Sequence, residues 1–257
     1  MAIDAMQEIV TALGDQHAEL DGFLMPLTDD NWERPAPRCP GWSITDVVLH
    51  LAQTDEMALG SVTGRFAEVL GSLTAGLEPT DSIDDGAGAM VAAQRGQPAR
   101  EVHERWRAGA DALRRAFATA DPSARVAWVA GDMAARTLAT TRLAECWIHT
   151  GDVATALGRP VPASHRLRHI ARLAWRTLPY AFARAGRELT GPVRFTLTGP
   201  AGEEWDLVPD EPAVTTVKGT ALDLCQVAGQ RADAADTGLT ATGPDATAVL
   251  SLVRTFA

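Results

Sequence analysis

The stretch "TTRLAECWIHTGDVATALG", from Thr140 to Gly158, places a glutamate and a histidine four residues apart in a segment with the apolar spacing of a helix. Positions i and i+4 of a helix lie on one face, so Glu145 and His149 are predicted to point at the same spot. Two interpretations follow from this spacing alone. The two residues are either a solvated or hydrogen-bonded pair, or two ligands of a metal ion.

A metal site needs a further ligand, because catalytic zinc usually takes three protein ligands and leaves one position open. The candidate is His50 in the segment "DVVLHLA", where the other residues of the same helical face are expected to be core. A histidine in an apolar run is also commonly a core residue that satisfies its hydrogen bonds locally. Spacing therefore leaves both interpretations of His50 open.

Around these two segments, apolar spacing, capping signals and glycine or proline breaks predict five helices. They cover about residues 3–27, 43–70, 98–121, 135–157 and 164–185. Ser43 followed by Asp46 has the form of a capping box at the start of the second helix. The Gly- and Asp-rich residues 71–88 are predicted to form a loop or to be only partly ordered, and the pattern assigns no element to "RVAWVAGDM".

After residue 186 the sequence pattern changes, and segments with strand-like spacing appear. The segments "PVRFTLTG", "EEWDLVP" and "AVTTVKG" have the alternation or the β-branched residues of strands, and "TALDLCQVAGQRA" and "DATAVLSLVRTFA" have the pattern of amphipathic helices. The sequence therefore predicts a two-domain α+β protein. An antiparallel helical bundle is expected over residues 1–186, and a small α+β domain over residues 187–257.

Composition narrows the range of partners. The formal net charge is -10, and Lys218 is the one lysine among 23 basic residues, so no basic surface for nucleic acid or an anionic membrane is expected. The N-terminus does not resemble a signal peptide, and no apolar run is long enough to span a bilayer, which predicts a cytoplasmic protein. Cys39, Cys146 and Cys225 are odd in number and far apart, as expected of reduced thiols. A small-molecule partner and a monomer or homodimer are expected.

Two blocks of sequence carry a family resemblance. "CPGWSITDVVLHLA" (39–52) and "RLAECWIHTGDVATALGRP" (142–160) resemble the signature segments of DinB-like metal-binding bundles, specifically the mycothiol-dependent maleylpyruvate isomerase family common in actinobacteria. In that family a helix after a Gly-Trp turn supplies one histidine, and a later helix supplies a glutamate and a histidine. The resemblance implies a metal site of His50, Glu145 and His149. It also implies an up-down-down-up bundle and a sterol-carrier-like second domain.

Four neighbours of these ligands are further candidates. Asp46 and Asp152 lie one helical turn from His50 and His149, so either could hold a ligand imidazole by a hydrogen bond. Asp46 is explained equally as an acid at a helix N-terminus. Trp42 and Trp147 could wall a pocket, or simply belong to the core.

Other polar residues carry weaker expectations. Cys39 is either a nucleophile near a helix N-terminus or a buried, inert thiol, and the thiol of Cys146 is expected to leave the ligand face of its helix. His165 and His169 lie among arginines and are expected to be exposed rather than metal ligands. The resemblance also implies a catalytic arginine in the second domain. Arg231 in "VAGQR" matches that position with one residue inserted.

The function that the resemblance implies is a divalent-metal-dependent isomerase or thiol transferase. Zinc is the expected ion, with nickel or iron as alternatives, and mycothiol is the expected thiol cosubstrate for a small electrophilic metabolite. Arg231 would then pair with a substrate carboxylate. Two other functions stay open: a metal-dependent hydrolase or lyase without a thiol, and a non-catalytic protein that binds metal and an acyl or lipid ligand.

Overall fold

The computed structural model of the chain describes residues 2–255, so the first and the last two residues of the predicted domains lie outside the described part. The chain divides into two compact units, residues 1–162 and residues 163–257. The first is helical apart from a short hairpin, and the second combines helices with a sheet. The predicted fold class, a helical bundle followed by a small α+β domain, is confirmed. None of the helices in the described part has the length and apolarity needed to cross a membrane.

Seven helices and one hairpin make up the described part of the first unit. The helices are α1 (Ala2–Leu24), α2 (Asp29–Trp32), α3 (Ile44–Val62), α4 (Phe66–Leu73), α5 (Ile83–Gln94), α6 (Ala99–Thr119) and α7 (Ala135–Ala156). The hairpin pairs β1 (Arg125–Val126) with β2 (Met133–Ala134) in antiparallel register and connects α6 to α7.

The four long helices α1, α3, α6 and α7 form the bundle, with α3 packed on α6 and α1 packed on α7. One apolar cluster joins the C-terminal parts of α1 and α7 to the N-terminal parts of α3 and α6. Its members include Leu20, Leu24, Ile44, Val48, Val102, Trp106 and Val153. The hydrogen bond between Asp21 and His103 likewise joins the end of α1 to the start of α6. Therefore α1 and α7 run in one direction and α3 and α6 in the other, which is the expected up-down-down-up arrangement.

Three predicted boundaries were wrong for local reasons. The helix predicted over 43–70 is interrupted, because Gly64 adopts a left-handed conformation (φ 73°) between α3 and α4. The segment 71–88, predicted as a loop, contains the first half of α5, because the N-cap Ser82 accepts a hydrogen bond from the Asp85 backbone. The fifth predicted helix is two helices, since Pro179 lacks the N–H that would continue the first one.

The second unit builds a four-stranded sheet and packs helices on it. Its elements are α8 (Leu167–Arg176), α9 (Leu178–Arg184), β3 (Val193–Thr198), β4 (Glu204–Leu207), β5 (Thr215–Thr220), α10 (Ala221–Ala228), β6 (Thr240–Thr242) and α11 (Ala246–Leu252). The strand order is β4-β3-β5-β6, with β3 parallel to β5 and the other pairs antiparallel. The unit begins before the expected boundary at residue 186, because α8 packs against α10.

Candidate metal site

The start of α3 is fixed by its cap. The Ser43 hydroxyl accepts a hydrogen bond from the Asp46 backbone at 3.3 Å, and the Asp46 carboxylate accepts one from the Ser43 backbone at 2.9 Å. This confirms the predicted capping box. Arg95 donates to both oxygens of Asp46, each at 2.9 Å. Asp46 is thus occupied as a first-turn acid and ion-pair partner, and the cap sets the helical phase that places His50 one turn later.

The three predicted ligands lie together between α3 and α7. The Nε2 atom of His50 is 2.9 Å from Oε1 of Glu145, and Nε2 of His149 is 3.4 Å from the same oxygen. The two imidazole rings meet edge to face, with centroids 4.9 Å apart. Both histidines are only 6% exposed. One potential ligand atom from each residue lies within 4.8 Å of the other two.

A further layer of side chains holds the two histidines. Nδ1 of His149 lies 2.9 Å from Oδ2 of Asp152, a carboxylate that is 1% exposed. This is the bond that the sequence predicted for Asp152, and it directs Nε2 of His149 toward Glu145. The Trp42 ring lies 5.2 Å from the His50 ring, centroid to centroid. Within the described residues, Nδ1 of His50 is buried without a hydrogen-bond partner.

The charges of the site are set by burial and hydrogen bonding. Although burial opposes it, the bonds to His149 and His50 hold the pKa of Glu145 well below 4.5. Burial also opposes protonation of His149, but its bonds to Asp152, Cys39 and Glu145 raise its pKa well above 6.5. For His50, burial prevails and lowers the pKa. Without an ion, the site therefore holds an ionised carboxylate, one protonated imidazole and one neutral imidazole.

These donors fit a divalent ion. Two imidazoles and a carboxylate are a ligand set that open zinc sites use, and both Nε2 atoms already face the same carboxylate oxygen. His149 is protonated, and an ion bound at its Nε2 would displace the proton on that atom, because ligands bind metal in their deprotonated form. His50 is already neutral and Glu145 already ionised, as ligation requires, and the proton that Nε2 of His50 donates to Glu145 would move to Nδ1 when Nε2 binds an ion.

A buried ion pair lies about one turn from the ligands, toward the C-terminus of α3 and the N-terminus of α7. Arg142 donates from Nε to Asp55 at 3.0 Å and from Nη2 to the Thr54 hydroxyl at 2.8 Å. The Thr54 hydroxyl in turn donates to the backbone oxygen of His50 at 2.9 Å. This pair is not among the predicted site residues. Its signal was present, however, as an arginine and an aspartate on helical faces that are otherwise core.

The structure shows where the weaker candidates near the ligands lie. Trp147 is a core residue whose Nε1 donates to the backbone oxygen of Pro162 at 2.9 Å. Cys146 is also buried, packs in the apolar cluster of the bundle, and has a thiol whose pKa is raised by burial. Cys39, in contrast, is half-buried and belongs to the site, because its thiol donates to Asp152 at 3.2 Å. The expectation that Cys39 is fully buried was wrong, and the choice between a nucleophile and an inert thiol stays a prediction.

The remaining candidates lie in the second unit. His165 is exposed as predicted and sits 3.0 Å from a carboxylate oxygen of Glu203, whereas His169 is half-buried rather than exposed. Arg231 follows the end of α10, and its Nη1 donates to the backbone oxygen of Gly229 at 3.1 Å. The catalytic role expected for Arg231 stays a prediction.

The fold and the site define a class of protein: an up-down-down-up bundle with a buried His-Glu-His cluster, followed by a small α+β unit. Residues 13–154 match the family model described as the mycothiol maleylpyruvate isomerase N-terminal domain, so the chain belongs to that family. The match includes both segments that carry the His-Glu-His cluster.

Relatives and solved structures extend over nearly the whole chain. An uncharacterized protein of Mycobacterium tuberculosis, present in strains CDC 1551 and H37Rv, is 36% identical over 253 residues, covering 96% of this chain and 95% of the relative. The crystal structures of the mycothiol-dependent maleylpyruvate isomerase and of a histidine-to-alanine mutant each give a TM-score of 0.59 at 16% identity. Each covers 94% of this chain and 95% of the solved chain. At this identity, the likeness establishes the two-domain fold.

Proposed function

We propose that this chain is a metal-dependent, mycothiol-linked isomerase or thiol transferase that acts on a small electrophilic metabolite. The observation that carries the proposal is the convergence of two imidazole Nε2 atoms on one carboxylate oxygen of Glu145, in a buried site of a protein from this family. His50, Glu145 and His149 would hold the ion. Zinc is the proposed ion, with nickel and iron as the alternatives.

The residues of the site have separate tasks in this proposal. A divalent ion would supply Lewis acidity that lowers the pKa of a thiol or water brought to it. Glu145 neutralises one of its two charges, so the loaded site keeps a net positive charge that favours an anionic thiolate. Asp152 holds the ring of His149 in one orientation, and the Trp42 ring covers the neighbouring His50. Arg231 is proposed to pair with a substrate carboxylate.

The proposed reaction uses the thiol as a nucleophile. In an isomerisation, the thiolate adds to an activated C=C bond, the new single bond rotates, and elimination returns both the thiolate and the double bond. In a transfer, the C–S bond that forms is kept, the neighbouring carbon takes up a proton from the solvent, and the thiol is consumed. Both begin with the same addition.

Metal content tests the site directly. Mass spectrometry of purified wild type and of Glu145→Gln should find close to one ion per wild-type chain and a large loss of ion in the variant, because the neutral amide no longer offsets the charge of the ion. The matched control is Glu56→Gln, another acidic residue of the bundle, whose carboxylate binds Arg105 at 2.7 Å rather than either histidine. Equal metal content in all three proteins would overturn the proposed site.

Thiol dependence tests the reaction. Candidate unsaturated acids are incubated with the metal-loaded protein, with and without mycothiol, and the thiol is titrated afterwards. Turnover with thiol unchanged supports isomerisation, and turnover with thiol consumed supports transfer. Turnover without any thiol would instead support a metal-dependent hydrolase or lyase. An acyl or lipid ligand that stays bound after chelation, with no turnover, would support a binding protein.

A further inference from the structure

Cys39 lies in the turn that precedes α3. The turn is closed by backbone hydrogen bonds: Ala36 donates to the Trp42 oxygen at 2.8 Å, and Cys39 donates to the Ala36 oxygen at 2.9 Å. Pro35 and Ser43 form a β-bridge across its base. The side chain of Cys39 therefore leaves a backbone that is fixed on both sides and is continuous with the cap of α3.

The thiol reaches across to α7. Its Sγ lies 3.2 Å from Oδ2 of Asp152, the same oxygen that lies 2.9 Å from Nδ1 of His149. Cys39, Asp152 and His149 thus form a group of three polar side chains from two separate elements, with donor atoms within 4.8 Å of one another. A carboxylate that accepts two hydrogen bonds on one oxygen is held more firmly than one that accepts a single bond.

The same turn also contacts the other histidine of the site. Trp42 belongs to the turn, and its ring packs at 5.2 Å from the ring of His50. A second tether between the turn and α7 is weaker, since Nη1 of Arg34 lies 3.5 Å from the backbone oxygen of Ala156. The Cys39 thiol is thus the short polar link between the segment that covers His50 and the carboxylate that orients His149.

We propose that Cys39 is a positioning residue of the metal site, which acts on His149 through Asp152 and through its own contact with the ring, and that chemical modification of its thiol weakens metal binding. This inference rests on the proposed function, because it assumes that His149 is a ligand. Loss of the thiol donor would leave Asp152 with one donor fewer on Oδ2 and would loosen its hold on the ring. A bulky group on the sulfur would also push the turn away from α7.

The thiol can be addressed selectively. Of the three cysteines, Cys146 and Cys225 are buried, and burial raises the pKa of both thiols, whereas Cys39 is half-buried. An alkylating reagent such as iodoacetamide should therefore react first at Cys39 in the folded protein. Peptide mass mapping identifies the modified residue.

The test is Co²⁺ binding, followed by the visible spectrum and by competition with a chelator. Cys39→Ala should weaken Co²⁺ affinity by about 10- to 100-fold, the usual effect of losing an outer-shell partner, and alter the ligand-field bands. Cys39→Ser keeps a donor for Asp152 and should recover most of that loss. Iodoacetamide should weaken binding in wild type and leave Cys39→Ser unaffected. Cys225→Ala, in the second unit, is the matched control and should bind as wild type does.

Each contrary result has a distinct meaning. Equal Co²⁺ affinity of wild type and Cys39→Ala would overturn this inference and leave the proposed function standing. A thiolate-to-cobalt charge-transfer band that disappears in Cys39→Ser would overturn it as well, since Cys39 would then be a direct ligand. A wild type that binds no Co²⁺ would overturn both the proposed function and this inference. If Cys39→Ala does not fold, Cys39→Ser and the alkylated wild type decide the question.

Discussion

Arg142 and Asp55 show how a buried charge constrains the site. Both side chains are buried, and burial outweighs the attraction of Arg142 and raises the pKa of Asp55. The pair therefore adds little net stability, yet loss of one partner strands the other charge in the core. We expect Asp55→Leu to lower the free energy of unfolding by about 3–5 kcal/mol, measured by urea denaturation. The double variant Asp55→Leu, Arg142→Met should lose far less than the two single losses added together.

Glu56, the next residue along α3, is the matched control for that cycle. Its ion pair with Arg105 is partly exposed, so Glu56→Leu should cost only about 0–1 kcal/mol. Additive losses at Asp55 and Arg142 would contradict a coupled buried pair. Because Thr54 bridges Arg142 to the backbone of His50, metal affinity should fall with stability in Asp55→Leu and not in Glu56→Leu.

The cap of α3 is predicted to connect stability to metal binding. Ser43→Ala removes the acceptor for the Asp46 backbone and should cost about 1 kcal/mol, a fall in Tm of about 2–4 °C by thermal unfolding. Metal affinity should fall as well, because the first turns of α3 carry His50. Ser82→Ala, which removes the comparable cap of α5, should lower Tm without changing metal affinity. Equal effects of the two variants on metal binding would contradict this link.

The elements also show what local sequence can predict. The apolar spacing that predicted a helix over 98–121 involves only residues close in sequence, and the helix found there, α6, spans Ala99–Thr119. The spacing of Glu145 and His149 is equally local, so their shared face was predictable from i and i+4 alone. The break at Gly64 was missed because one glycine adopts a left-handed conformation within an otherwise helical pattern. Strand β6, only three residues long, is too short for alternation to indicate it.

Contacts between residues far apart in the sequence cannot be predicted from local patterns. The thiol of Cys39 meets Asp152 across 113 residues, and Arg142 meets Asp55 across 87. Such pairs depend on which helices of the bundle are neighbours, and periodicity does not contain that information. His50 was a candidate from its place in an apolar helical run, and family resemblance, which supplied the missing topology, placed it with the other two ligands. Cys39 and Asp55 had no such guide, so their part in the site emerged only with the fold.

His17 makes the assembled bundle sensitive to acid. Helices α1, α6 and α7 enclose its ring, which is 4% exposed, lies 5.8 Å from the Trp106 ring and has no hydrogen-bond partner on either nitrogen among the described residues. Burial, together with the nearby Arg114 and Arg142, lowers the pKa of His17 from 6.5 to about 3. The unfolded chain therefore takes up a proton below about pH 6.5 that the folded chain takes up only near pH 3.

The sign of the effect follows from that difference. Because the unfolded state binds more protons between these two pH values, stability falls as the pH drops from about 6.5 toward 3, by about 1.4 kcal/mol per pH unit from this residue. Urea denaturation of wild type and His17→Gln between pH 7 and 4 isolates the contribution, since all other groups are common to both proteins. The wild-type curve should fall more steeply, and His165→Gln, at an exposed histidine, should follow wild type. Parallel curves for wild type and His17→Gln would mean that the bundle admits a proton to His17 without unfolding, and that the core around it is less tightly closed than its burial implies.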